Sequence, residues 1–196
     1  IIVMGCHPGD CHYLEGNYEA EKKFNMVEKL LSFVDMNERV RLEWVSASEG
    51  NRFAELVTEF TDKIKKLGPS PVKDSSKAKE LLNKLKALKM SAVSYRLRAL
   101  VGRERAVTEQ ENVYGEKVSL ERFNDVFENA IFDEYIRNRI VLSLKEDEKS
   151  VKDLAIELNM EPSKILEHIL ILKGRSQVAM DKIVGITPLY ISTLEE

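Results

Sequence analysis

The chain opens with Ile1-Ile2-Val3-Met4-Gly5-Cys6-His7-Pro8-Gly9-Asp10-Cys11-His12-Tyr13, and this stretch decides how its first third folds. Residues 1 to 4 are apolar and predict a short strand, which ends at the following loop rich in Gly, Pro and Asp. A helix with one apolar face is expected from Asn17 to about Asp35, because apolar residues recur there at helical spacing. The chain starts inside a predicted strand and without an initiator methionine, so we expect it to be a fragment or a processed piece.

A second strand and a second helix follow the first pair. Residues 40 to 47 alternate apolar and charged side chains, as a strand buried on one face does. Ser48 is then predicted to cap a helix that ends at Gly68-Pro69. The order strand, helix, strand, helix predicts a parallel sheet, and residues 1–69 make half of a doubly wound, flavodoxin-like α/β domain. Such sheets bind ligands at the carboxyl ends of their strands, where the first loop lies.

Composition and charge exclude several classes of protein. With 43% hydrophobic and 32% charged residues, the 196-residue chain has the composition of a globular protein and not of a disordered or fibrous one. Its net charge of -3 gives no overall attraction to nucleic acid or to membranes. No apolar run approaches the length of a membrane span, and the N-terminus has no signal pattern. No Ser-His-Asp group, phosphate-binding glycine loop or carboxylate pair supports a hydrolase or a kinase.

Residues 70–110 differ from the rest of the chain in being basic. They contain ten Lys or Arg and four Asp or Glu, a local balance of +6. Apolar residues at alternating spacings of four and three predict one amphipathic helix from Lys77 to Ala99, which we interpret as a connector. It is expected to dock on its own protein or on a partner. Contact with nucleic acid or with an acidic domain is the alternative.

The last segment, residues 111–196, is acidic and predicts a mostly helical, winged-helix-like domain. It contains eleven basic and seventeen acidic side chains. A long helix that includes Phe123 to Leu142 precedes a short helix capped by Ser150, and Pro162 begins a further helix that ends at Gly174. The pattern is completed by two predicted strands, Gln177 to Ile183 and Thr187 to Ser192.

The helix that begins at Pro162 occupies the position of a DNA-reading helix but has few basic side chains. Lys164 and Lys173 are offset by nearby glutamates, and His168 is expected at the surface. Nucleic acid is therefore not the expected partner. We interpret the winged helix as a module that docks on another protein of a complex.

Both cysteines of the chain, Cys6 and Cys11, lie in the first loop, and each is followed by a histidine. Thiolates are ligands for iron, zinc and copper, and Gly9 allows main-chain N–H groups to turn toward the sulfur atoms. A zinc site would combine both thiols with His7 or His12 and would need a fourth ligand. A redox dithiol that forms a disulfide, or two inert thiols in a tight loop, would use the same pair.

The neighbours of the two thiols have supporting roles in this interpretation. His7 and His12 are expected to donate to the ligands or to be polar loop residues, because cysteine is the better ligand for an iron–sulfur cluster. Asp10 is expected to bond its own backbone in the turn, next to Gly9.

Two separated motifs carry a resemblance to a known family. They are the loop from Gly5 to Tyr13 with Glu15-Gly16-Asn17-Tyr18 after it, and the stretch Arg41-Leu42-Glu43-Trp44-Val45-Ser46-Ala47-Ser48-Glu49-Gly50. In order and spacing, residues 1 to about 69 closely resemble the delta subunit of methyl-viologen-reducing hydrogenase, also called F420-non-reducing hydrogenase. The winged-helix region lies outside this resemblance.

The resemblance implies an electron-transfer role in the cytoplasm. The family holds a 2Fe-2S cluster and passes electrons between a hydrogenase or formate dehydrogenase and the flavin-containing subunit of heterodisulfide reductase. Cys6 and Cys11 match the family motif and are expected to be cluster ligands. Family members also carry an upstream half with further cysteines, so the remaining ligands are expected from a preceding segment or from a separate chain.

Two functions are therefore considered. The leading hypothesis is an electron-transfer iron–sulfur subunit that performs no bond chemistry itself. The alternative is a metal- or redox-responsive transcription regulator, in which the winged helix binds DNA and the cysteine loop senses.

Overall fold

A computed structural model describes residues 1–73 and 78–194. Its helices and strands are, in chain order, β1 (Ile2–Gly5), α1 (Gly16–Ser32), β2 (Arg41–Trp44), α2 (Gly50–Leu67), α3 (Ala78–Ala92), α4 (Tyr95–Thr108), α5 (Leu120–Glu146), α6 (Val151–Leu158), α7 (Pro162–Gly174), β3 (Val178–Val184) and β4 (Thr187–Ser192). Short 3₁₀ turns lie at Asn37–Arg39 and Pro71–Lys73. The expected fold class, a short parallel sheet followed by a mostly helical remainder, is confirmed.

The first two strands pair in parallel, as the alternation of strands and helices predicts. Ile2 lies opposite Arg41, and Gly5 lies opposite Trp44. β2 is shorter than the predicted strand over residues 40 to 47. Gly5 is required where β1 ends, because a Cβ at this position would lie 2.9 Å from a ring carbon of Trp44. Because the two strands run parallel, the loops after β1 and β2 lie at the same edge of the sheet.

The prediction that Ser48 caps the second helix is wrong. α2 begins at Gly50, and the residue at the N-cap position is Glu49. The Glu49 carboxylate accepts a hydrogen bond from the main-chain N–H of Ser46, at 2.6 Å, and so closes the turn that contains Ser48. The predicted end of the helix is confirmed, since α2 stops at Leu67 and Gly68 has a φ of 72°.

The basic connector forms two helices where one was predicted. α3 ends at Ala92 and α4 begins at Tyr95, so the expectation of a continuous helix to Ala99 is wrong, and the predicted start at Lys77 lies outside the described residues. The break occurs at Ser94, which adopts an extended conformation and accepts a hydrogen bond from the Leu97 N–H. A serine that satisfies a helical N–H in this way starts a new helix.

The C-terminal segment has the predicted winged-helix arrangement. Ser150 and Asp153 form a reciprocal capping box at the start of α6. Asn159 adopts the left-handed conformation that ends α6, and Pro162 is the first residue of α7. β3 and β4 then pair as an antiparallel hairpin, and an isolated bridge joins Lys149 to β4.

A single cluster of buried side chains extends from α1 through the winged helix. α5 lies at its centre, with Ile131, Ile140 and Val141 almost fully buried. The prediction of a surface position for His168 is wrong, because its side chain is 6% exposed and faces this core. It is buried with Ile165, Ile169 and Leu172, which occupy the same face of α7. The proposed boundaries at residues 69 and 110 stay a prediction.

Among the helices in residues 1–73 and 78–194, none combines the length and the apolar character needed to cross a membrane.

Candidate functional site

The cysteine loop lies between the carboxyl end of β1 and the first turn of α1. Asn17, buried in that turn, donates through Nδ2 to the carbonyl oxygens of His7 at 2.8 Å and Cys6 at 3.4 Å. The main-chain N–H of Asp10 donates to the same His7 carbonyl, at 2.9 Å, and Gly9 between them has a φ of 94°. One helical side chain therefore fixes the loop that carries both cysteines.

The two thiols lie next to each other. Cys6 and Cys11 are free and partly exposed, and they are close enough for each thiol to affect the pKa of the other. Burial and the neighbouring Cys11 raise the pKa of the Cys6 thiol. The pKa of Cys11 is lowered, which makes Cys11 the more acidic member of the pair.

The acidity of Cys11 comes from main-chain groups around the start of α1. The Tyr13 N–H has the largest effect in lowering the pKa of Cys11, against the opposing effect of burial, and the Asn17 N–H, the Cys6 thiol and the Gly16 N–H lower it further. The first N–H groups of a helix have no partner within the helix, and they stabilise a negative charge placed before them. A Cβ on Gly16 would lie 3.1 Å from the Cys11 Sγ, so glycine allows this close approach.

His7 contacts a residue that the sequence analysis did not assign to the site. Its Nε2 lies 2.6 Å from Oε2 of Glu49, the oxygen that accepts the Ser46 N–H. The Ser46 N–H, and next His7, lower the pKa of the Glu49 carboxyl. Glu49 belongs to the second motif of the family resemblance, and this position is the sequence feature that could have identified it as a residue of the site.

The other expected neighbours of the thiols, His12 and Asp10, contact other residues of the loop. The His12 ring packs edge-on against Tyr13, with ring centroids 5.2 Å apart. Asp10 donates its main-chain N–H to the His7 carbonyl, and among the described residues its carboxylate accepts none of the backbone hydrogen bonds expected of it. The N–H groups that reach sulfur come from the start of α1 and from Tyr13, and not from the turn at Gly9.

The two thiols fit as ligands of an iron–sulfur cluster but do not complete one. They lie close together, and main-chain N–H groups near Cys11 already favour its thiolate form. A 2Fe-2S cluster takes four protein ligands. In the part of the chain that the structure describes, no group of three or more His, Cys, Asp or Glu side chains is placed to hold a metal ion. In such a cluster, Cys6 and Cys11 would account for half of the ligand set.

The exposed face of α7 carries apolar side chains, whereas a helix that reads DNA exposes polar or basic side chains to the base edges. Leu170 is 57% exposed, and Leu166 and Ile171 are also exposed. The ammonium of Lys164 is paired with Glu167 on the same helix, at 3.0 Å. Arg175, which follows the helix, is held by Glu134 at 3.0 Å.

Two regions of the chain match known protein families. Residues 1–68 match the family described as methyl-viologen-reducing hydrogenase, delta subunit. Residues 135–174, which extend from the middle of α5 to the end of α7, match bacterial regulatory proteins of the arsR family. No solved structure gives a significant match.

Similar proteins include components of hydrogenases and of heterodisulfide reductases. An iron–sulfur subunit of the F420-non-reducing hydrogenase of Archaeoglobus profundus is 59% identical over 70 residues, 35% of this chain and 51% of that protein. An iron–sulfur subunit of the vhc F420-non-reducing hydrogenase of Methanococcus voltae is 42% identical over 77 residues, 39% of this chain and 54% of that protein. One component of the ferredoxin:CoB-CoM heterodisulfide reductase of Methanosarcina mazei is 34% identical over 70 residues, 35% of this chain and 9% of that protein.

The chain spans about half the length of the hydrogenase proteins that it matches. The resemblance drawn from the cysteine loop and the second motif is confirmed over the same part of the chain. Residues 1–68 are thus similar to the delta subunit of methyl-viologen-reducing hydrogenase, and residues 135–174 add a region similar to arsR-family regulators.

Proposed function

We propose that this chain is an electron-transfer component of an oxidoreductase complex, and that Cys6 and Cys11 are two of the four ligands of a 2Fe-2S cluster. The observation that carries this proposal is the adjacent thiol pair, with the Cys11 sulfur facing main-chain N–H groups at the start of α1. A bound 2Fe-2S cluster supplies a centre that accepts and releases one electron. The residues around Cys6 and Cys11 hold these two ligands in place and stabilise the negative charge on their sulfur atoms.

The N–H groups around Cys11 have two effects in this proposal. They stabilise the deprotonated sulfur, which is the form that binds iron. They also offset negative charge on the ligand, and donors of this kind raise the reduction potential of a cluster. Asn17 maintains the arrangement, because its amide holds the Cys6 and His7 carbonyls against α1.

The similar proteins suggest which complex the chain serves. We propose that it relays electrons between a hydrogenase, or a formate dehydrogenase, and the flavin-containing subunit of a heterodisulfide reductase. The same 70-residue region is similar to hydrogenase iron–sulfur proteins and to a component of heterodisulfide reductase, which supports this assignment. The two remaining cluster ligands come from another polypeptide segment or from another protein of the complex.

The test is made on the anaerobically purified native assembly that contains this chain. Iron and acid-labile sulfide are measured, and EPR spectra are recorded before and after reduction. We expect a reducible 2Fe-2S signal that Cys6→Ser and Cys11→Ser each remove or alter. Ser48→Ala, an exposed change in the neighbouring loop, is the control and leaves the signal unchanged. Unchanged iron, sulfide and EPR signal in both cysteine variants would contradict the proposal.

A regulator is the second candidate, because residues 135–174 match the arsR family. In this alternative the winged helix binds DNA and the cysteine loop responds to a metal or to redox state. The apolar exposure of α7 and the engagement of Arg175 by Glu134 count against DNA reading. Binding to duplex DNA is measured at low and at physiological salt, since contacts to phosphate weaken as salt rises. Salt-sensitive binding that persists at physiological salt would favour the regulator over the electron carrier.

A further inference from the structure

Three arginines from distant parts of the chain meet around one buried glutamate. The guanidinium of Arg137 is 2.8 Å from Oε1 of Glu134, and both side chains are about 95% buried. Arg175 donates to both Glu134 oxygens, at 3.0 and 3.2 Å. Arg96 approaches from α4, with its Nη1 3.5 Å from Glu134 and 3.4 Å from Asp133. The cluster lies where α4, α5 and the end of α7 meet.

A cavity of about 490 Å³ opens onto this cluster. Its volume is in the range typical of sites for small molecules. Arg96, Arg137, Arg175 and Glu134 line it together with Ser94, and its remaining lining residues are Met90, Val93, Tyr95, Asn138 and Gln177. The lining of the cavity therefore combines charged groups with apolar and aromatic side chains.

The start of α4 also contributes to the cavity wall. Val93, Ser94, Tyr95 and Arg96 all line it, and they are the last residues before α4 and its first two residues. The cap bond to Ser94 Oγ comes from the Leu97 N–H, so the first helical N–H groups at Tyr95 and Arg96 keep the unpaired character of a helix N-terminus. A 14-residue helix carries partial positive charge at this end.

The charged groups leave an excess of positive charge at the cavity. Three guanidinium groups face two carboxylates, those of Glu134 and Asp133. Both oxygens of Glu134 are occupied by arginine donors, so this carboxylate orients the guanidinium groups. The Nε of Arg137 is buried and has no hydrogen-bond partner among the residues that the structure describes. Both terminal nitrogens of Arg137 are held by acids, so this residue adds positive charge to the cavity. The partly exposed guanidinium groups of Arg96 and Arg175 are suited to bind oxyanions in two-point contact.

We infer that this cavity is a binding site for a small molecule bearing a carboxylate or phosphate group, held by Arg96 and Arg175 at the N-terminus of α4, with Arg137 adding positive charge behind them. The apolar or aromatic body of the ligand would lie against Val93 and Tyr95, which are 63% and 86% exposed. The site does not involve the cysteine loop, and the inference is independent of the proposed electron-transfer role. Bound ligand would join the basic connector to the winged helix.

The experiment is an NMR titration of the full chain, observing the arginine Nε–H signals and the backbone amides of Tyr95 and Arg96. The probes are inorganic phosphate and benzoate, each added at constant ionic strength against sodium chloride. We expect saturable shifts of these signals with one or both probes. Arg96→Gln should weaken binding by about tenfold or more, because it removes a charged donor. Arg98→Gln, an exposed change on the same helix that does not line the cavity, should leave affinity unchanged.

The outcomes separate the possible ligands and test the site itself. Saturation by phosphate alone assigns a phosphate ligand, saturation by benzoate alone assigns a carboxylate, and saturation by both assigns a general oxyanion site. The absence of saturable shifts with either probe would overturn the inference. Equal affinity in the wild type, Arg96→Gln and Arg98→Gln would also overturn it. Arg96 is half-exposed and has only long contacts with the acids, so its variant should fold, and the backbone amide spectrum checks this.

Discussion

Oxygen Oε2 of Glu49 lies 2.6 Å from Nε2 of His7, and this contact joins the loops that follow β1 and β2. The same oxygen accepts the Ser46 N–H at 2.6 Å, so one carboxylate anchors its own turn and the histidine between the two cysteines. The two motifs that carry the family resemblance are thus parts of one structure at the edge of the sheet. The position of the cysteine loop depends on a residue 42 positions further along the chain than His7.

Glu49→Ala should loosen the turn after β2. The Ser46 N–H loses its acceptor, so its amide hydrogen exchange should become faster by roughly tenfold, measured by NMR or mass spectrometry. Glu55→Ala is the matched control, because Glu55 is exposed on α2 and lies away from the turn. An equal rate for Ser46 in both variants would mean that the carboxylate does not hold the loop in solution.

Gly16→Ala should raise the pKa of Cys11. The added Cβ would lie 3.1 Å from the Cys11 Sγ and push the sulfur away from the N–H groups that lower its pKa. The pH midpoint of Cys11 alkylation in the metal-free chain should move up by about one unit, the effect of losing one hydrogen bond to the thiolate. Mass spectrometry of the alkylated peptides distinguishes Cys11 from Cys6.

Gly50→Ala provides the matched control for this measurement. Gly50 is also the first residue of a helix, but a Cβ there meets no atom within 4 Å. The Cys11 midpoint should be the same in Gly50→Ala as in the wild type. A shift of similar size in both variants would show that the effect is not local to the sulfur.

Ser150→Ala should destabilise the protein by about 1 kcal/mol, the usual effect of losing a helix N-cap. Ser150 Oγ accepts the Asp153 N–H, and the Asp153 carboxylate accepts the Ser150 N–H in return. The free energy of unfolding is measured by urea denaturation. Ser163→Ala, an exposed change near the start of α7, should change it by less than about 0.5 kcal/mol. Equal effects would mean that the capping box adds nothing to stability.

Glu134→Gln should lower stability by about 3 kcal/mol near neutral pH, because it leaves buried arginine charge without its partner. Burial raises the pKa of Glu134, but Arg175 and Arg137 outweigh that effect, and the net shift is downward. A carboxyl with a lowered pKa stabilises the folded state above its ordinary pKa, and this stability is lost as the pH falls through the folded value. The difference between wild type and variant should therefore shrink on acidification.

Glu128→Gln is the control for this pH dependence. Glu128 lies on the same helix and pairs with Lys29 at 2.9 Å, but its side chain is 59% exposed. Loss of an exposed pair should change stability by less than about 1 kcal/mol. Urea denaturation of the three proteins from pH 7 down to pH 3 measures both effects. A difference between wild type and Glu134→Gln that stays constant with pH would contradict the assigned role of the carboxylate.

Much of the fold was predictable because its signals are local. The strand before the cysteine loop, the end of α2 at Gly68 and the capping of α6 by Ser150 each depend on residues a few positions apart. A local pattern gave a wrong prediction where two neighbouring residues could each begin a helix. Ser48 and Ser94 are both good capping residues, and only Ser94 starts a helix, because Glu49 closes the turn around Ser48.

The sequence by itself determined the order of the elements, the turn between α6 and α7, and the cysteine pair before α1. Periodicity and capping act over one or two helical turns, so they can be recognised without knowledge of the fold. Only the tertiary structure decided that Glu49 reaches His7, that His168 is buried, and that three arginines surround Glu134. These contacts join residues far apart in the chain, and their energies depend on burial and on charges that come together only when the helices pack.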